Sequence, residues 1–207
     1  MLKRSVFTGF ALFFLIVPKI YSQADTNAVR RVAEKLLKFT GWPEAESLTV
    51  KIMVIDTLDP IAAVTIPYGT KNTIEAWLSK GLLDSIKSDD ELAAIVGHEL
   101  GHTDEYLTLR RKITAPFFPM PTQTTVQEVL DYESSMDHYG IEIMKKAGYD
   151  PLATPKVFER SVSALENSVT GLNKVQYNYF NCRLLKMKVA LNVPTNEKCD
   201  YLKMPDW

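Results

Sequence analysis

The sequence predicts an α+β domain, mainly helical, with a small and mostly antiparallel sheet beside one long helix. Three observations lead there. Apolar residues recur at helical spacing over residues 26–39, 89–110, 125–146 and 151–166. Short β-branched runs bounded by Pro and Gly fall together between residues 49 and 78. The run Gly97-His98-Glu99-Leu100-Gly101-His102 lies inside the second helical segment.

The chain opens on Met1-Leu2-Lys3-Arg4, an apolar run over residues 6–17 and a short polar stretch to Ala24. That pattern predicts a secretory signal peptide over residues 1–22, with cleavage near residues 22–24. A membrane-spanning helix needs about 20 apolar residues, more than this core supplies. An uncleaved amino-terminal anchor is the alternative. The remaining residues, 23–207, are expected to form one domain, exported to a periplasmic or extracellular compartment and open to membrane association.

Val29, Val32, Ala33, Leu36 and Leu37 give the first helix an apolar stripe, and Gly41 stops it. Residues 49–56, 61–66 and 73–78 read as strands, separated by Asp59-Pro60 and Pro67-Tyr68-Gly69. Ser88-Asp89-Asp90-Glu91 reads as a capping box that starts a helix at Asp89, running to about Arg110. Leu92, Ala93, Ile95 and Val96 make its early turns apolar and bury it. Residues 114–121, with Pro116, Pro119 and Pro121 around Phe117 and Phe118, are too proline-rich for a helix. They read as a stiff connector, a cleft lining or a membrane contact. A helix over residues 125–146 ends near Gly148, another follows Pro151 to about Glu166, and a further one starts around Cys182.

Loss of residues 1–22 removes Lys3, Arg4 and Lys19 and leaves 21 basic against 25 acidic residues, a net charge near −4. That balance argues against nucleic acid as a partner. Cys182 and Cys199 are the only cysteines, with 16 residues between them. An exported compartment permits a disulfide, and closing such a loop stabilises by about 3 kcal/mol in the chain-entropy model. Two free thiols, with Cys182 in a packed helix, are the other reading. The spacing excludes a paired-cysteine zinc site.

His98 and His102 stand four apart, so on a helix their imidazoles leave one face a turn apart and can meet at one ion. Zinc is the ion this pattern implies, and Glu99 is the residue type that takes a proton from water at such a site. A catalytic zinc needs a third protein donor and an open fourth position. Six residues past His102 the chain has Thr108 rather than a third histidine. Glu105 shares the histidine face, but three donors from one unbroken helix rarely converge on a tetrahedral ion. Glu133 and Asp137 are the better source. They are four apart on the returning helix, so one can take the metal while the other accepts the spare ring N–H of a ligating histidine. A solvated acidic helix face is the plain alternative.

These residues resemble the gluzincin metallopeptidases that include the HtpX heat-shock protease, the CAAX prenyl protease and the periplasmic BepA type. The resemblance runs over about residues 50–183. It is carried by Lys80-Gly81-Leu82-Leu83-Asp84, by residues 90–102, and by Glu133-Ser134-Ser135-Met136-Asp137-His138-Tyr139-Gly140, similar to E-x-x-A-D-x-x-G. Ala147-Gly148-Tyr149-Asp150-Pro151 is similar to A-G-Y-D-P. The resemblance implies a zincin-like fold with zinc on His98, His102 and Glu133. It further implies Glu99 as base, Asp137 and Arg183 behind the donors, and a strand edge at residues 61–64 along which an extended polypeptide pairs.

There are departures. Met136 replaces a small residue, Val129-Leu130 stands where Ser-Arg is frequent, and Ile61-Ala62 stands where Asn-Ala is common. The family's later His-Pro segment corresponds to Tyr177-Asn178, so the histidine that polarises the substrate carbonyl is missing. A phenol can donate to an oxyanion, which makes Tyr177 the first candidate for that role and Tyr179 the second. Two packed aromatics are the alternative. The expected function is an exported zinc metalloendopeptidase, acting on polypeptides such as misfolded or envelope proteins. A catalytically weak or inactive scaffold that binds zinc and client polypeptides is the rival, and a self-inhibited site with His138 in the open position is a third.

Overall fold

Helix α1 (Gln23–Leu37) buries Val29, Val32, Ala33, Leu36 and Leu37, and the chain turns away at Gly41, whose φ of 76° glycine adopts without strain. The computed structural model describes residues 23–43, 45–57, 62–65, 73–112, 126–166, 171–196 and 199. The expected leader over residues 1–22 and the proline-rich stretch over residues 114–121 lie outside the described residues.

Strands β1 (Thr49–Ile55), β2 (Ala62–Thr65) and β3 (Thr73–Ser79) form a sheet of order β1-β3-β2. β3 is central because its alternate residues Ile74, Ala76 and Leu78 are the ones sealed from solvent, each 1% exposed. The expected mostly antiparallel sheet is not what forms. β1 runs parallel to β3 over seven residue pairs, from Thr49 with Thr73 to Ile55 with Ser79, while β2 pairs antiparallel with β3 over only four. Neighbours in sequence, β1 and β2, are separated by β3, and that insertion turns the longer ladder parallel. β2 is left at an edge of the sheet, against the long helix that follows.

A short helix that the sequence pattern did not predict, α2 (Lys80–Ser85), continues directly from β3. Buried Ser79 caps it, its hydroxyl accepting the Leu82 N–H at 3.1 Å. Helix α3 (Asp89–Lys112) starts where the capping box predicts, with Ser88 Oγ accepting the Glu91 N–H at 3.2 Å. The reciprocal half differs. The Glu91 carboxylate accepts from the Lys87 N–H at 2.8 Å and forks with Arg160 at 2.8 and 2.7 Å, tying α3 to a later helix.

Helices α4 (Val126–Ala147), α5 (Ala153–Glu166) and α6 (Gly171–Ala190) complete the described chain. α4 ends at Gly148, at φ 73°. α6 begins well before the expected start around Cys182, so Tyr177, Tyr179 and Arg183 all lie inside it. Its first half, Gly-Leu-Asn-Lys-Val-Gln-Tyr-Asn-Tyr-Phe, has no clean apolar stripe. Packing on α5, where Phe180 meets Phe158 at 6.0 Å between ring centroids, helps hold it. Among the described residues no helix is long and apolar enough to cross a membrane.

α3 packs against α1, α4, α5 and β2, with Leu92, Ala93, Val96 and Leu100 in the core. Its contact with α4 is unusually close. A Cβ on Gly140 would lie 2.8 Å from the His98 nitrogen and 2.9 Å from the Gly97 carbonyl carbon. One turn on, Gly101 makes room for Met136: a Cβ there would stand 3.1 Å from its sulfur, so the family's small residue can be replaced by methionine. Near the start of α4, Leu130 packs with Cys182, which forms the expected disulfide with Cys199.

Candidate active site

The glycine contact brings α4 close enough to α3 for residues on both helices to meet. His98 Nε2 and His102 Nε2 are 3.1 Å apart, and Glu133 oxygens stand 3.3 Å from the first and 3.7 Å from the second. Donors at about 2.0–2.1 Å from a tetrahedral ion are separated from one another by about 3.3 Å, so these spacings fit zinc. His98, His102 and Glu133 are the group among the described residues that can hold a metal.

Electrostatics point the same way. Around the imidazoles stand three carboxyl groups, Glu99, Glu133 and Asp137, and one guanidinium, Arg183. Burial works against a charged His98, yet hydrogen bonds to Asp137 and Glu133 push it up to about 9. Burial, reinforced by Glu133 and Asp137, pushes the Glu99 carboxyl up to about 7 against the pull of His98 and Arg183. The Glu99 shift comes chiefly from burial, while the His98 shift comes from the carboxylates around it, and three buried carboxyl groups against one guanidinium favour a cation.

Asp137 stands directly behind His98. At 2% exposure, it accepts the His98 Nδ1–H at 2.8 Å, which leaves Nε2 as the donor atom turned to Glu133. Arg183 binds Asp137 through Nε at 3.0 Å and Nη2 at 2.7 Å, and reaches Glu133 through Nη1 at 3.1 Å. One guanidinium thus sets both carboxylates. Burial raises Glu133 and Asp137, but His98 and Arg183 outweigh it and hold both carboxyls below the usual range.

Other predicted residues fall less centrally. Tyr179 lies one turn before Arg183 on α6 with its hydroxyl hydrogen-bonded to that side chain and close to Glu133; burial raises its pKa. Tyr177, two positions earlier, points to the opposite side of the helix by the 3.6-residue period, so of these two Tyr179 is the one near the donors. His138 is exposed and is not in the donor group. The side chain of Glu105 lies outside the described residues.

Tyr132 belongs to the site and no sequence signal singled it out. Its hydroxyl stands 3.1 Å from His102 Nδ1, with the rings 5.3 Å apart between centroids. A tyrosine beside a glutamate on a helix reads as any surface aromatic until the partner helix is in place.

Comparison with known proteins supports the metallopeptidase class to which these donors point. The sequence profile described as Peptidase family M48 matches residues 23–136, more than half of the chain, and the chain belongs to that family. It is also similar to the mitochondrial metalloendopeptidase OMA1 of Arabidopsis thaliana, 27% identical over 134 residues, covering 56% of this chain. The chain spans only 26% of that relative's length. M48 metallopeptidases use zinc, and His98, His102 and Glu133 form a group that could hold it.

Proposed function

We propose that this protein is an exported zinc endopeptidase that cuts polypeptides laid along the edge of β2. The observation that carries the reading is the donor triangle of His98, His102 and Glu133 with the Glu99 carboxyl beside it. When bound, zinc supplies a Lewis acid that acidifies water and polarises a carbonyl.

The chain's own residues supply the rest. Glu99, held at about 7, suits a group that accepts a proton on a carboxylate oxygen and returns it to the nitrogen of the departing amine. Tyr179 can accept from Arg183 through its oxygen and still offer its O–H to the substrate carbonyl oxygen. β2, paired with β3 and lying against α3, offers its other edge for main-chain pairing with an extended peptide. The name of the Arabidopsis relative, a metalloendopeptidase, supports cleavage at internal bonds. The leader pattern of residues 1–22 and the Cys182–Cys199 bond support an oxidising, exported compartment.

Unfolded casein, incubated with the purified chain, with a zinc chelator, and with Glu99→Gln, tests the reading. Cleavage by the parent alone is expected, with zinc still bound in the variant. Equal cleavage by Glu99→Gln sinks the role of Glu99. Zinc binding without cleavage by the parent favours the client-binding scaffold.

A further inference from the structure

The two histidines of the donor group are backed in different ways. His98 gives its Nδ1–H to Asp137, a carboxylate 2% exposed and braced by Arg183. On His102 the Nδ1 instead faces the hydroxyl of Tyr132 at 3.1 Å. An imidazole that offers Nε2 to a metal must carry its proton on Nδ1, and whatever accepts that proton fixes the tautomer and the ring plane. A phenolic oxygen can accept it.

The placement of Tyr132 suits that task. It directly precedes Glu133 on α4, so the residue that backs His102 and the residue that shares its metal move as one piece. Its ring lies against the imidazole at 43° between planes, which restricts rotation of His102 while leaving Nε2 turned to Glu133 and His98. Tyr132 is 39% exposed, so His102 is held at the solvent side of the site and His98 at the buried side.

We propose that Tyr132 is a positioning residue for the metal, its hydroxyl oxygen accepting the Nδ1–H of His102 and fixing Nε2 as the donor. This rests on the metallopeptidase reading above. Loss of a partner behind a ligating histidine costs metal affinity, about ten-fold or more. A phenol removed from the substrate side would instead leave affinity alone and lower turnover.

The test uses Tyr132→Phe, which keeps the ring and removes only the oxygen, beside His102→Ala. Zinc affinity is read by competition with a chromophoric chelator, the His102 tautomer by nitrogen-15 NMR of the zinc-loaded protein, and folding by the thermal midpoint of the metal-free chain. Tyr132→Phe is expected to bind zinc about ten-fold more weakly, with a shifted His102 Nδ1–H signal and an unchanged metal-free midpoint. Unchanged affinity and an unchanged His102 signal overturn the proposal, whether or not turnover falls. A lowered metal-free midpoint that accounts for the whole affinity loss also overturns it, by making the role structural. If His102→Ala still binds zinc as the parent does, the donor group itself is wrong; if it loses zinc while Tyr132→Phe does not, only the tyrosine is.

Discussion

Arg183 grips Asp137 with two nitrogens, Nε 3.0 Å from Oδ2 and Nη2 2.7 Å from Oδ1, and both side chains are nearly sealed from solvent. The same nitrogen Nη2 lies 3.3 Å from His98 Nδ1, but that ring nitrogen already donates to Asp137 at 2.8 Å, and two N–H groups do not bond each other. Asp137 is therefore the shared acceptor of an imidazole and a guanidinium.

Asp137→Asn removes the charge that both groups need. Zinc affinity is expected to fall about 10–100-fold, since the partner of a ligating histidine is weakened. Stability should fall by about 3 kcal/mol because a buried guanidinium loses half its compensation, with Glu133 still at 3.1 Å. Chelator competition and urea unfolding measure the two; affinity equal to the parent's would remove Asp137 from the site.

Gly140→Ala places a carbon against backbone atoms of α3 at 2.8 and 2.9 Å, where no flexible side chain can yield. The helices must part, and overpacking of this kind costs about 1–3 kcal/mol. Because Glu133 rides on α4 and both histidines on α3, zinc affinity should drop with the thermal midpoint. A variant with parental affinity and midpoint would show that the close approach does not set the donors.

The ion pair of Glu91 and Arg160 gives a pH dependence. Its hydrogen bonds to Arg160 outweigh burial and hold the folded Glu91 carboxyl below its ordinary value. A depressed carboxyl contributes stability that is fully present above the unfolded value, about 4.3, and is lost as pH falls through the folded one. Glu91→Gln should unfold about 1–2 kcal/mol more easily at pH 7, and the gap should close on acidification below about pH 4. Urea midpoints across that window check it, and a gap constant with pH would refute the assignment.

Cys199→Ser opens the loop tied to α6 and is expected to lower stability by about 3 kcal/mol. Cys182 is left in place because it packs with Leu130. Zinc affinity should hold, since Cys199 is not one of the donor group. Urea unfolding and chelator competition separate the two effects; a variant as stable as the parent, or one that loses zinc, counts against this division.

The donors were legible in the sequence because their chemistry is written in local spacing. His98 and His102 share a face whatever the rest of the chain does, and Glu133 with Asp137 repeats the same interval. The partners of β3 were not legible, since nothing local says that β3 inserts between β1 and β2 and makes β1 its parallel neighbour. α2 is only six residues, too short for a period to show. α6 was placed too late because its first half carries tyrosines and asparagines in place of an apolar stripe. Tyr132 was invisible for a third reason: its meaning depends on His102, 30 positions away in the chain and on another helix.

The family profile ends at residue 136, one position short of Asp137 and 47 short of Arg183. A fragment cut at that boundary would keep His98, His102 and Glu133 and lose the Asp137–Arg183 pair behind them. Asp137 and Arg183, which brace the donors, thus lie beyond the matched segment. Shortening the protein from that end past Arg183 should blunt its grip on the metal.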